Sequence, residues 1–192
     1  MNEKLILASG SPRRRELLRK LGRPFTVIVP HADESFNPRM PPDAIAVMLA
    51  QRKAQSVAKG LSEGIVIGAD TLVALGSEII GKPRDRAEAV EILSRLSGAR
   101  QAVITGVCLV DAATGRSVTG SETTWVTMRK MSREQIQAYV GSGEADGKAG
   151  AYAIQETGDR YVEKLEGDFD NVVGLPVGLV RRLLAEMEKK RG

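Results

Sequence analysis

"KLILASGSPRRRELL", residues 4–18, sets the architecture of this 192-residue chain. Its first six residues, "KLILAS", form a short apolar run that ends in a Gly-Ser-Pro turn, the pattern of a buried strand. Ser11 and Pro12 then read as the N-cap and first turn of a helix, because proline fits where no backbone N–H needs a partner. Leu17, Leu18 and Leu21 give that helix its apolar stripe. A buried strand feeding directly into a helix opens an α/β layout. Within the same stretch, however, Arg13, Arg14 and Arg15 crowd the helix end where the backbone dipole is already positive and cations are disfavoured.

An anion removes that conflict. Free N–H groups at a helix start, the dipole and a flexible Gly-Ser-Pro turn make a phosphate cradle, and arginine adds permanently charged, bidentate donors. One arginine–phosphate contact near a protein surface carries about 4 kcal/mol of raw Coulomb energy before desolvation. The dipole penalty is about 0.3–1 kcal/mol per arginine. Locally, a solvated basic face paired with Glu16 or other carboxylates explains the arginines equally well. Neither the Walker pattern nor G-x-G-x-x-G is present, so the cradle is of neither familiar type.

Further along, "FTVIVP" (25–30) reads as a second strand and "HADESFNPRMPP" (31–42) as a long, proline-rich loop of the sort that is often functional. A helix is expected from Asp43 to about Lys59, with Ile45, Met48 and Leu49 at helical spacing and a gap at Arg52 and Lys53. "GIVIGAD" (64–70) reads as a strand ending on an acid, and "TLVALGSEII" (71–80) as a hairpin about Gly-Ser. Asp85 and Glu88 fit a capping box for a helix through Leu93 and Leu96 that stops at Gly98. "AVITGVCLV" and "SVTGSETTWVTMR" flank "DAATGR" as a longer hairpin. Ser132 and Gln135 give a second capping box, opening a helix through Tyr139. "GSGEADGKAG" reads as a glycine-rich loop, "AYAIQ" and "YVEKLEG" as strands, and a last helix follows Pro176. The expected fold is α/β: a mixed sheet with flanking helices, built as one domain over residues 1–192.

Composition narrows the function. The chain is 42% hydrophobic and 27% charged, and 28 Lys and Arg against 24 Asp and Glu give a net charge of +4. That favours a phosphate-bearing partner without requiring a polynucleotide. With 4% aromatic residues, and none interleaved with the basic ones, no nucleic-acid surface is expected. The single cysteine, Cys108, and single histidine, His31, leave no internal disulfide, no Cys/His zinc site and a poor case for a Ser-His-Asp enzyme. Cys108 sits inside an apolar strand pattern and reads as an inert core thiol, and His31 as a solvent-exposed loop residue. No stretch suits a signal peptide or a membrane span, so a soluble cytoplasmic protein without membrane contact is expected.

The candidates for chemistry stand at element ends. Asp70 closes the "GIVIGAD" strand, where open α/β sheets present residues to ligands. A carboxylate there either binds Mg²⁺ or takes a proton from water, or it is a turn-forming residue at a strand exit. Asp33 and Glu34 in the long loop are either solvated acids or metal suppliers. Lys53 interrupts an apolar helix face and Lys82 follows a hairpin. Each alone reads as a snorkelling or surface lysine. Together these cations and carboxylates suit a metal–polyphosphate ligand.

Taken in order, "LASGSPRRREL", "DES", "LAQRKA", "VIGADTLV", "GKPRDRAEAVEILSRLSG", "TGV", "GKAGAYAIQ" and "VVGLPVGLV" resemble the Maf family of nucleoside triphosphate pyrophosphatases along nearly the whole chain. The resemblance implies a fold related to the inosine-triphosphate pyrophosphatases, with two lobes around a central cleft, and a homodimer. The implied reaction splits a nucleoside triphosphate into monophosphate and pyrophosphate with Mg²⁺ or Mn²⁺. Within the family the chain is similar to the branch acting on dTTP and UTP, modified pyrimidine nucleotides included. Carried over by position, Arg13, Thr71 and Gln155 stand at specificity positions, and Asp70 at that of the catalytic acceptor and metal carboxylate. Ser11, Arg14, Lys53 and Lys82 match phosphate-contacting positions, and Glu34 a metal-associated carboxylate. The chain departs from the family at Gln101, where histidine is frequent, at Asp146, one place earlier than the aspartate that usually precedes the lysine, and at Glu156, where glycine is usual. Because the family is also linked to inhibition of septum formation and cell division, the rival expectation is a nucleotide-binding regulator with little turnover.

Overall fold

The alternation in the sequence resolves into a seven-stranded mixed sheet with helices on both faces in a computed structural model, which describes residues 4–152, 154 and 157–189. The strands are β1 (Leu5–Ala8), β2 (Phe25–Ile28), β3 (Ile65–Leu75), β4 (Glu78–Ile80), β5 (Arg100–Asp111), β6 (Ser117–Met128) and β7 (Val162–Glu166). The helices are α1 (Pro12–Arg19), α2 (Pro42–Ala58), α3 (Arg86–Leu96), α4 (Arg133–Gly141), α5 (Phe169–Val173) and α6 (Val177–Lys189). Strand order is β2-β1-β3-β5-β6-β7, with β4 also paired to β3. β1 runs parallel to both β2 and β3, whereas along β3, β5, β6 and β7 each strand is antiparallel to the next.

The organisation of β3 decides where a ligand can sit. On one side it pairs with β5 from Ile65 to Ala74. On the other, β1 accompanies it as far as Gly68 and β4 joins only at Val73. Residues 69–72 of the central strand therefore have no strand beside them on that side, and the chain leaving β1 at Ser9 opens a gap in the sheet. Such a break in strand order is where open α/β sheets hold ligands.

Side-chain alternation along β3 sends odd and even residues to opposite faces. Ile65, Ile67 and Ala69 pack with α1 and α6 in one apolar cluster, and Val73 packs with α3 and α4 in a second cluster on the same face. Thr71 stands between the two. On the other face lies α2, and glycine permits its close approach: a Cβ on Gly68 would come within 2.3 Å of Ala50 O, and one on Gly106 within 2.2 Å of the Ala46 backbone. The buried face of α2 is accordingly rich in Ala46, Ala50 and Ala54, while Met48, which shares the helical spacing, stays half-buried.

Several expectations are corrected. The strand expected to stop at Asp70 continues to Leu75, placing Asp70 in mid-strand; Thr71 and Val73 are β-branched and keep the backbone extended. The Gly76-Ser77 turn and its hairpin form as expected. "AYAIQ" forms no strand among its described residues, because Gly150 (φ 72) and Ala151 (φ 58) turn the chain left-handed. The box at α3 is half made. Asp85 caps the Glu88 N–H, but Glu88 accepts from Arg84 instead of reaching back to Asp85. The box at α4 is complete. The five-residue α5 is too short for hydrophobic periodicity and was not expected. Among the described residues no helix is long and apolar enough to cross a membrane.

Candidate active site

Ser11 caps α1 as the sequence suggests, its hydroxyl accepting from the Arg14 N–H at 3.4 Å. The three arginines then part company, since successive helical residues point about 100° apart. Arg15 is exposed on the outer surface beside Arg19 and Arg23. Glu16 pairs with Arg19, so it is not the partner of the cluster. Arg13 and Arg14 both turn into a cleft between the two apolar clusters.

That cleft consists of two hollows. One is walled by Val73, Val103, Tyr152, Ile154, Val172 and Val173, with Arg13, Thr71 and Lys148 as polar groups of its own. The other is bordered by Ser9, Gly10, Glu34 and Lys53. Ser11, Arg14 and Lys82 line both. A ligand with an apolar ring at one end and anionic groups at the other fits this division.

Arg14 is held on two sides. Its Nε donates to Gly174 O at 2.8 Å and its Nη2 to Thr71 Oγ1 at 3.1 Å. Burial depresses the pKa of this guanidinium, with Arg13 pressing the same way and Asp70 and Glu34 opposing. At neutral pH the group stays charged, and a desolvated cation so placed is primed to gain from an arriving anion.

Asp70 lies on the α2 face of β3, opposite Thr71, and is 8% exposed. Lys53, from α2, reaches it at 2.5 Å and touches Glu34 of the long loop at 2.7 Å. A charged, hydrogen-bonded partner offsets the cost of burying a carboxylate in a strand. Lys53 holds the Glu34 carboxyl below its usual range, first by hydrogen bond and then by charge, with Lys82 and Arg14 adding to the effect. The neighbouring Arg52 steadies the same loop, donating to Asp33 O at 3.2 Å and Ser35 O at 2.5 Å. The gap that Arg52 and Lys53 make in the apolar pattern of α2 is thus the attachment of the loop.

Two carboxylates converging on one ammonium make a hard-oxygen donor set. No group of three His, Cys, Asp or Glu side chains that could hold a metal occurs among the described residues. Glu34 and Asp70 are the carboxylates that could hold a divalent cation together with phosphate oxygens and water.

The sequence-derived set thus gathers at one place: Ser11, Arg13, Arg14, Thr71 and Lys82 line the cleft, and Glu34, Lys53 and Asp70 form its ion cluster. Gln155 lies outside the described residues. Cys108 is buried in β5, its thiol pushed up to about 12 by desolvation, and His31 is exposed. Sequence reasoning missed the Gly174 carbonyl, Thr105, Tyr152 and Lys148. "TGV", "GKAGAYAIQ" and "VVGLPVGLV" flagged all four as segments without giving them a task. Gln101 is fully buried and donates to the Tyr152 hydroxyl at 3.3 Å, so that departure belongs to the support of the cleft wall.

Residues 4–187 match the family model described as Maf-like protein. A dTTP/UTP pyrophosphatase of Moorella thermoacetica is 48% identical over 182 residues, covering 95% of this chain and 94% of that protein. Proteins of the same name from Bacillus anthracis and Methanosarcina barkeri are 47% and 46% identical, each over 94% of this chain and over 94% and 92% of their own lengths. The solved structure of the Staphylococcus aureus Ham1 protein matches 66% of this chain and 72% of its own, at 13% identity and a TM-score of 0.49. With the family model spanning the fold and the cleft alike, and relatives near half identity along almost the full length, the chain belongs to the Maf family.

Proposed function

We propose that this protein hydrolyses dTTP and UTP to the monophosphate and pyrophosphate. The observation that carries the reading is the two-part cleft, in which Arg14, Ser11 and Lys82 join an apolar-walled hollow to the Lys53–Asp70–Glu34 cluster. Relatives named dTTP/UTP pyrophosphatase at 46–48% identity supply the substrate class. In this reading the pyrimidine nucleoside lies in the apolar hollow and the triphosphate runs past Arg13, Arg14 and Lys82 toward Lys53. The cations neutralise the phosphates, most strongly as charge builds on the departing pyrophosphate. Asp70 orients a water and takes its proton as the oxygen bonds to the α-phosphorus and the bond to the β-phosphate oxygen breaks. Glu34 and Asp70 would hold Mg²⁺ or Mn²⁺, which when bound supplies further neutralisation of phosphate charge. Ser11 and the free N–H groups of α1 receive phosphate oxygens.

The test is pyrophosphate release from a panel of pyrimidine and purine triphosphates with Mg²⁺ and with Mn²⁺. Release from dTTP and UTP, lost in Asp70→Asn while circular dichroism is unchanged, is expected. Preference for a purine would overturn the substrate assignment, and full activity of Asp70→Asn would remove Asp70 from the chemistry.

A further inference from the structure

Thr105 lies in β5 directly across from Thr71 and is completely buried. It occupies the seam where the two apolar clusters meet, a place where valine would serve packing better, since a buried hydroxyl costs stability unless bonded. Its hydroxyl is 2.9 Å from Thr71 Oγ1 and donates to Asn171 O at 3.2 Å. Resting on the pyrophosphatase reading above, we infer that Thr105 is a positioning residue for Arg14, and through it for the substrate phosphates.

Proton direction supports this. A guanidinium only donates, so Thr71 Oγ1 accepts from Arg14 Nη2 and must send its own proton elsewhere. Two acceptors are in reach: Thr105 Oγ1 at 2.9 Å, and Gly174 O at 3.4 Å, which already receives Arg14 Nε at 2.8 Å. The shorter choice gives a one-way chain from Arg14 through Thr71 and Thr105 to Asn171 O. By drawing the Thr71 proton away, Thr105 leaves the Gly174 carbonyl to Arg14 and fixes both anchors of the guanidinium. The two carbonyls come from α5 and its C-terminal end, so the same chain ties α5 to the sheet at the cleft.

The test uses the full chain with dTTP as probe. Thr105→Val keeps the shape and removes the hydroxyl; Thr105→Ser keeps the hydroxyl and removes a buried methyl. Thr105→Val is expected to lower kcat/KM about tenfold, the scale of one hydrogen bond to a charged group. Thr105→Ser is expected to retain activity within about twofold even though it unfolds at lower temperature, because activity follows the hydroxyl and not the packing. In an Arg14→Lys background Thr105→Val should cost nothing further, since the side chain it aims is gone. Thr105→Ala is a second hydroxyl-free variant with the same expectation, should valine fail to fold. Wild-type activity in Thr105→Val, loss of activity in Thr105→Ser, or a full additive loss in the double variant would each overturn the inference. A wild-type protein inactive on every triphosphate would instead overturn the pyrophosphatase reading.

Discussion

Arg14 separates what arginine can do from what positive charge can do. Its planar fork bonds Gly174 O and Thr71 Oγ1 at once and still faces the cleft. Lysine has a single ammonium and cannot span both acceptors while reaching a phosphate. Arg14→Lys should keep the fold and lower kcat/KM by about 100-fold or more, roughly 3 kcal/mol of lost transition-state stabilisation. A steady-state comparison with wild type checks this, and a loss below about threefold would make Arg14 a simple counter-charge. Read locally, arginines crowding a helix start fit an anion or a solvated basic face equally well, and only the family resemblance, not the spacing, tells which of the three serves the cleft. That depends on the angle at which α1 leaves the turn, which is set by distant contacts to Gly174 and Thr71. Asp70 was legible as a carboxylate for chemistry, yet its place in mid-strand was not. An aspartate after Gly-Ala looks like a strand exit until Lys53, 17 residues earlier, is known to neutralise it.

At the scale of elements, the approach of α2 to the sheet fixes Lys53 against Asp70. Gly106→Ala would drive a Cβ into backbone atoms of Ala46 and Val47, which cannot rotate away. That substitution should destabilise the protein by about 3 kcal/mol or more, read in urea unfolding, and lower activity as α2 shifts. Gly22→Ala, where nothing lies within 4 Å but φ is 70°, should cost only about 1 kcal/mol from backbone strain. β5 supplies a second check. With the Cys108 thiol raised to about 12, the thiolate is scarce at every pH below that value. Iodoacetamide near pH 8 should leave the native protein unmodified by mass and alkylate it once unfolded. The long hairpin of β5 and β6, β1, α1 and the capped starts of α3 and α4 were legible because each carries a local signal. The left-handed turn at Gly150 and Ala151 and the five-residue α5 were not. A glycine does not announce the sign of its φ, and one helical turn has no period to detect.

For the whole molecule, a basic surplus of only +4 is spread over 192 residues, yet Arg13, Arg14, Lys53, Lys82 and Lys148 meet at one cleft. A field so concentrated draws a polyanion at a rate that salt screens. KM for dTTP should therefore rise from about 0.01 M to about 0.1 M salt, as the Debye length falls from about 30 to about 10 Å, while kcat holds. The cleft also separates two apolar clusters that share one sheet face, with α1 and α6 on one side and α3 and α4 on the other. A nucleotide that touches Arg14 on α1 and the Lys148–Tyr152 wall beside α3 links the two, so binding is coupled to the stability of the whole. A non-hydrolysable dTTP analogue at about 100 times its Kd should add about 2.7 kcal/mol. For a chain of this size that raises Tm by about 5–10 °C in a calorimetric scan. Inorganic tripolyphosphate at equal concentration reaches the cations but not the apolar walls, and should give the smaller shift. Equal shifts would mean that the hollow beneath Tyr152 takes no part in binding, and the base would have to lie elsewhere.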